Sequence, residues 1–91
     1  MKTWDEYKKQ IKESDPEAAR DLEEAEALAD IISIVIRERN DLGLSQRELA
    51  AQCNLPQSSI ARFESGKVAP NLTTLIRMLR PLGLKLTIQE I

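Results

Sequence analysis

Between two glycines, Gly43 and Gly66, the stretch LSQRELAAQCNLPQSSIARFES leaves room for two short helices and a tight turn, and for little else. Ser45 and Glu48 form a capping box at the entrance to the first helix, with Leu44 and Leu49 at the staple positions around it. That helix is expected to run to about Cys53, with Leu49, Ala50 and Cys53 facing inward. Asn54 and Leu55 make a short turn. Pro56 opens the next helix, where its missing N–H costs nothing. Ile60 and Phe63 face inward with Ala61 beside them, and Gly66 is the stop.

The flanking segments are punctuated in the same way. Thr3 and Glu6 form a capping box for a short helix, on which Trp4, Tyr7 and Ile11 share a face at spacings of three and four. Ser14-Asp15-Pro16 ends it and starts another, with Asp15 as N-cap and Pro16 at the first helical position. From Pro16 to about Asn40 no glycine or further proline intervenes, which predicts one long helix or two nearly collinear ones. Leu22, Ala25, Ala29, Ile32 and Ile36 form its stripe, flanked by Leu28, Ile31 and Val35, and Gly43 ends it. Further on, Asn71 caps a last helix whose apolar face is Leu72, Leu75, Ile76 and Leu79, with Met78 as core or surface filler. Then LGLKLTIQ changes period from 3.6 to 2. Leu84, Leu86 and Ile88 alternate with Lys85, Thr87 and Gln89, which predicts a short strand. A lone strand can neither satisfy its backbone nor bury its apolar face. It is expected to pair with the same strand of a second copy or with the edge of a partner's sheet, the alternative being a strand packed loosely on its own helices.

Ninety-one residues make one small domain, and an aromatic content of 3% leaves the core to Leu, Ile, Val and Ala. Histidine is absent and Cys53 is the sole cysteine, which removes histidine acid–base catalysis, the usual zinc sites and disulfide frameworks. With no nucleophile–base pair and no ligand set, neither an enzyme, a metal nor a cofactor is expected. Cys53 reads as a small core residue, and an unstapled chain of this size points to a reducing cytoplasm. The stretch MKTWDEYKKQ lacks the apolar segment of a signal peptide. The longest apolar run, residues 29–36, is broken by Asp30 and Ser33 and is too short to span a bilayer, so no membrane partner is expected. The net charge of −2 hides an asymmetry. Residues 1–30 hold five basic and ten acidic side chains, a net of −5; residues 31–91 hold eight basic and five acidic, a net of +3. Two binding surfaces of opposite sign are expected.

Two helices joined by a three-to-four-residue turn form the helix-turn-helix unit, whose second helix enters the DNA major groove with its N-terminal residues on the base edges. Here those residues are Gln57, Ser58 and Ser59, with Arg62 one turn on. A helix built only to cover a core would favour Glu, Lys and Ala at such positions. Glutamine pairs bidentately with adenine, arginine with guanine, and serine with either. The competing reading is a solvated face, and for Ser59 the choice is between a phosphate contact and a simple helix start.

The stretch LSQRELAAQCNLPQSSIARFESGKVAPN resembles the Cro/cI-type (XRE) helix-turn-helix family over residues 34–84. The shared signature is a Ser-Gln pair opening the motif's first helix, Glu-Leu-Ala within it, Gln-x-Ser-Ile opening the second and Glu-x-Gly-Lys closing it. The resemblance implies that Gln46 contacts phosphate and braces Gln57, that Gln57, Ser58 and Arg62 read bases, and that Lys67 and Asn71 anchor phosphates. It also implies a partly buried ion pair between Arg39 and Glu64. Pro81 departs from the pattern, since that position usually continues the last helix; the last turn is expected to kink or end early. Phosphate neutralisation supplies most of the affinity, and the charge near the second helix is modest, so a dimer on a palindromic double-stranded operator is expected.

The fold class expected is thus all-α. It comprises a five-helix Cro/cI-like helix-turn-helix domain over residues 28–83 (motif at about 45–65), an N-terminal helical extension over 1–27, and a short C-terminal β-strand over 84–91, with Leu84, Leu86 and Ile88 at the dimer contact. The extension carries Trp4 and Tyr7, the chain's single Trp and Tyr, amid negative charge. Aromatic anchors with complementary charge are what interfaces use. Trp4, Tyr7 and Ile11 are therefore candidates for binding a small basic partner, the alternative being that they pack on the chain's own long helix. An acidic helical lead, an XRE domain and a strand after Leu-Gly-Leu is a layout similar to antitoxins of the HigA family, which inhibit a RelE-fold ribonuclease toxin and repress the shared operon. Alternatives are a stand-alone transcriptional repressor and an adaptor that uses the same shell for protein contacts alone.

Overall fold

The computed structural model describes residues 3–91; Met1 and Lys2, at the start of the expected extension, lie outside the described residues. Five α-helices and a 3-10 turn follow one another: α1 Trp4–Ser14, α2 Pro16–Asp41, α3 Gln46–Cys53, α4 Gln57–Glu64, α5 Leu72–Leu79, and the 3-10 turn Arg80–Leu82. The chain falls into two compact units, one ending at Asp30 and the other spanning Ile31–Ile91. Among the described residues no helix is long and apolar enough to cross a membrane.

The first unit opens with a reciprocal cap: the Thr3 hydroxyl accepts from the Glu6 N–H at 3.2 Å, and the Glu6 carboxylate accepts from the Thr3 N–H at 3.3 Å. Asp15 separates α1 from α2. Its N–H closes on the Ile11 carbonyl at 2.8 Å, while its carboxylate caps α2 by accepting from Glu17 and Ala18 N–H. Ion pairs Lys8–Glu26 at 3.4 Å and Lys12–Glu23 at 3.2 Å join the two helices. Ala19 is buried, and Ile11 and Leu22 are half-buried. Trp4 and Tyr7 stay exposed, stacked on each other with ring centroids 5.6 Å apart.

The second unit has a continuous core of Ile32, Val35, Leu49, Ala50, Cys53, Ile60, Phe63, Leu75, Met78, Leu79 and Leu82. Between Pro16 and Asp41 there is one unbroken helix. Its buried positions Ile32 and Val35 continue into half-buried Arg39, so Val35 lies at the centre of the stripe and not on its flank. Gly43 (φ 71°) ends α2 in a left-handed turn, in which the Leu44 N–H donates to the Arg39 carbonyl. The capping box at α3 pairs Ser45 and Glu48 in both directions at 3.0 Å. The Ser45 backbone and hydroxyl donors hold the Glu48 carboxyl below its ordinary range, so this contribution is complete above pH 4.5 and fades as Glu48 protonates. α3 packs against α4 and α5.

Two expectations are corrected. The buried face of α5 is Leu75, Met78 and Leu79, continued by Leu82, whereas Leu72 and Ile76 are exposed. A stripe through 75, 78, 79 and 82 keeps the helical period, which rotates Leu72 and Ile76 to its margin. The expected strand over residues 84–91 is not formed; these residues belong to no helix and no ladder. A ladder needs a second strand, and the described residues contain none to pair with. Pro81 has no N–H to donate one turn back, and α5 stops at Leu79 before tightening into the 3-10 turn, closed by Gly83 (φ 72°).

Replacing Leu49, which is fully buried, with Ala is expected to cost about 2–5 kcal/mol in chemical denaturation. Leu72→Ala, on the exposed margin of α5, is expected to stay within about 0.5 kcal/mol of the parent.

Candidate nucleic-acid interface

Between α3 and α4 the chain turns at Asn54, in the left-handed region (φ 57°, ψ 45°), which Asn tolerates better than most side chains. Pro56 is the N-cap of α4, one residue earlier than the first helical position, and supplies no side-chain cap. The start of α4 therefore has no side-chain acceptor; the Ser59 N–H closes on the Pro56 carbonyl at 3.0 Å, and at such a helix start the dipole favours an anion. Gln57, Ser58 and Arg62 are exposed, while Ser59 is half-buried. Ser59, Arg62, Asn71 and Thr74 line a concavity of about 280 Å³.

A polar relay positions Gln57. Arg39 donates from Nε to Glu64 Oε2 at 2.7 Å and from Nη2 to Glu64 Oε1 at 2.8 Å. Its remaining nitrogen, Nη1, donates to the Leu44 carbonyl at 2.8 Å. Hydrogen bonding to Glu64 raises the Arg39 pKa above its ordinary value, with burial opposing the rise. Glu64 Oε1 also accepts from Gln46 Nε2 at 3.1 Å, and Gln46 Oε1 accepts from Gln57 Nε2 at 3.0 Å. An ionised carboxylate only accepts, so Glu64 forces the Gln46 amide nitrogen toward itself and the Gln46 oxygen toward Gln57. The Gln57 amide is oriented in turn. Its oxygen and one amide hydrogen remain for a ligand, the acceptor–donor pair that matches an adenine edge.

The other candidates lie around this centre. Lys67 is exposed in the loop after α4. Asn71 spends its Oδ1 on the Thr74 N–H at 2.8 Å as N-cap of α5, which leaves its amide hydrogens to donate outward. Among the described residues Arg47, Arg62 and Lys67 form no ion pair, so their charge faces solvent undiminished. Cys53 is buried, and burial pushes its thiol pKa up, away from the reactive thiolate. Sequence reasoning missed the Gln46–Glu64 bond, which joins the two glutamines to the ion pair as one network, and the Arg39–Leu44 bond, which ties that pair to the turn before α3. The missed signal was a separation of 18 residues in the first and an acceptor on the backbone in the second. Trp4, Tyr7 and Ile11 belong to the first unit, and Leu84, Leu86 and Ile88 to the end of the second.

The Helix-turn-helix family model matches residues 35–89. An "Uncharacterized HTH-type transcriptional regulator" of Haemophilus influenzae is 34% identical over 93% of this chain and 82% of its own length. A "Putative multi-protein-binding factor 1" of Yarrowia lipolytica is 36% identical over 69% of this chain, and "Endothelial differentiation-related factor 1" of Rattus norvegicus is 38% identical over 64% of it. The chain spans only 41% and 39% of those two relatives. No solved structure matches it significantly.

Arg39→Met is expected to destabilise the chain by about 3–5 kcal/mol, because Glu64 is left charged and nearly buried. The double change Arg39→Met with Glu64→Leu is expected to recover most of that loss. Urea denaturation of the three chains checks this, and a double variant no more stable than the single one would contradict it.

Proposed function

The chain belongs to the helix-turn-helix family of DNA-binding transcriptional regulators, and on that premise we propose that it is a homodimeric autorepressor whose acidic N-terminal unit also binds and neutralises a small basic ribonuclease toxin. The observation that carries the DNA part is the oriented Gln57 amide at an uncapped helix start, flanked by exposed Ser58 and Arg62. In this reading Gln57, Ser58 and Arg62 meet base edges, and Gln46, Ser59, Lys67 and Asn71 meet phosphates. Two copies of α4 enter successive major grooves of a palindromic operator, about 34–36 Å apart. Leu84, Leu86 and Ile88 hold the copies together. The protein acts in the cytoplasm, by occupying DNA and a partner and not by catalysis, and it needs no cofactor.

The partner part rests on different residues. Trp4 and Tyr7 are 56% and 48% exposed, and they stack on a unit that carries net negative charge. A rigid aromatic pair with acidic surroundings suits a basic protein surface that offers an apolar pocket. Ile11, half-buried beside them, extends the contact. Without such a partner the same DNA chemistry describes a stand-alone repressor.

A second reading is favoured by the similarity to the Yarrowia lipolytica relative, a multi-protein-binding factor by name: an adaptor that joins proteins through the same shell. DNA affinity separates the readings. As a repressor, Arg62→Ala loses about 1–3 kcal/mol on the specific operator and little on scrambled DNA. Lys67→Ala weakens both alike and lowers the salt slope by about one unit. An adaptor shows neither effect. For the partner, the tagged chain is co-expressed with its genomic neighbours and purified. A small basic protein in fixed ratio, lost when Trp4 and Tyr7 are both changed to Ala while operator binding persists, is the expected result; a partner-free dimer removes the toxin part.

A further inference from the structure

The second unit leaves apolar side chains at its surface: Ile34, Ile76 and Leu86 are 41%, 36% and 39% exposed, and Ile88 is 97% exposed. They are not scattered. Two adjoining openings, of about 490 and 240 Å³, share Leu79, Leu84, Lys85 and Leu86 as a common wall. Ile76 and Arg80 complete the first, and Ile31 and Ile34 complete the second. No acidic side chain lines either opening, and Arg80 and Lys85 make the rim basic. Beside this surface the backbone is unused: after the Leu84 N–H, which donates to the Leu79 carbonyl, residues 85–91 make no hydrogen bond with any other described residue.

We infer that this surface is closed by the same segment of a second copy, with residues 84–88 of the two chains paired as an antiparallel ribbon in which Leu86 lies opposite Leu86. The inference rests on the dimer reading above and adds its contact surface and register. Directly opposite residues of an antiparallel pair project on the same face of the sheet. The apolar set 84, 86 and 88 therefore meets its own kind only in some registers. Centred on Leu86, Leu84 faces Ile88 at both ends and Leu86 faces itself. Centred on Thr87, Leu84 would face Glu90. Centred on Lys85, two lysines would lie directly opposite, which is destabilising. A half-step slip would set every leucine against a polar residue. A two-stranded ribbon alone is marginal in water and needs a helical surface beneath it. The wall formed by Ile34, Ile76 and Leu79 supplies one on each side.

Crosslinking of the full chain tests this, with the parent's mass measured by light scattering alongside. The native Cys53 is buried and stays out of the exchange. Under mild oxidation Leu86→Cys is expected to form a covalent dimer, with Thr87→Cys slower by about tenfold because that pair is diagonal. Since Leu86→Cys also trims the contact, a mixture of Leu84→Cys and Ile88→Cys chains provides an independent reading: the mixed dimer is expected, and each chain alone is expected to stay largely uncrosslinked. A dimeric parent in which Thr87→Cys crosslinks first, or in which no pair crosslinks, overturns the register and leaves the dimer reading standing. A parent that is monomeric while it occupies its operator overturns both.

Discussion

The arrangement of the second unit depends on one side chain, Arg39, whose guanidinium is shared between the turn before α3 and the end of α4. The pair it makes with Glu64 is nearly out of water, with side-chain exposures of 12% and 7%. Removing two charges from water costs several kcal/mol each, and attraction recovers this only when geometry is good and the remaining donors are used. Both conditions hold: two parallel bonds run to the carboxylate, and a third ties Leu44 in the turn before α3. A hydrophobic pair of the same volume could provide as much stability. It would not fix the angle at which α4 leaves the core, nor the polarity of the amides beyond it.

That polarity is the link from fold to function. Arginine can only donate and an ionised carboxylate can only accept. From this fixed end, the Gln46 and Gln57 amides have one satisfied arrangement each. The side chain that faces outward from the start of α4 is thereby oriented before any ligand arrives, and preorganisation lowers the entropy lost on binding. The same residues could not be rearranged freely: moving the charge would reverse every donor and acceptor in the series.

Much of this was legible in the sequence wherever the cause is local. Thr3, Asp15, Ser45 and Asn71 are caps because each hydroxyl, carboxylate or amide satisfies N–H groups within three residues of itself. Pro81 shortens α5 for an equally local reason. Where the cause is not local the reading faltered. Leu72 and Ile76 look as apolar as Leu75 and Met78, and nothing in spacing alone says which margin of the stripe meets α3. The period-2 pattern at residues 84–89 is a statement about alternating faces; whether it becomes a ladder depends on a second strand. Residue types on α4 suggested an interface, but the bond from Gln46 to Glu64 crosses 18 residues and is visible only once the helices have packed.

The two units also differ in what they can do alone. The first buries Ala19 and otherwise relies on half-buried aliphatic residues and on ion pairs whose members are substantially exposed. Exposed pairs contribute about 0–1 kcal/mol each, so this unit has little core to hold it. Its one large apolar investment, the Trp4–Tyr7 stack, lies on the surface, where it contributes little to the fold and much to any contact that would cover it. The second unit has a sound core but few cations near α4 that form no ion pair among the described residues, namely Arg47, Arg62 and Lys67. Each phosphate neutralised contributes a modest counterion term, so one copy gains only a shallow electrostatic hold on DNA. Joining two copies makes the second contact intramolecular and multiplies the hold without new charge, provided the linkage is stiff enough to keep both α4 helices in register with the groove. In the proposed dimer, a unit this weakly basic would obtain its affinity for DNA from symmetry, and an exposed apolar surface on the same unit as the recognition helix is where that symmetry would be best placed.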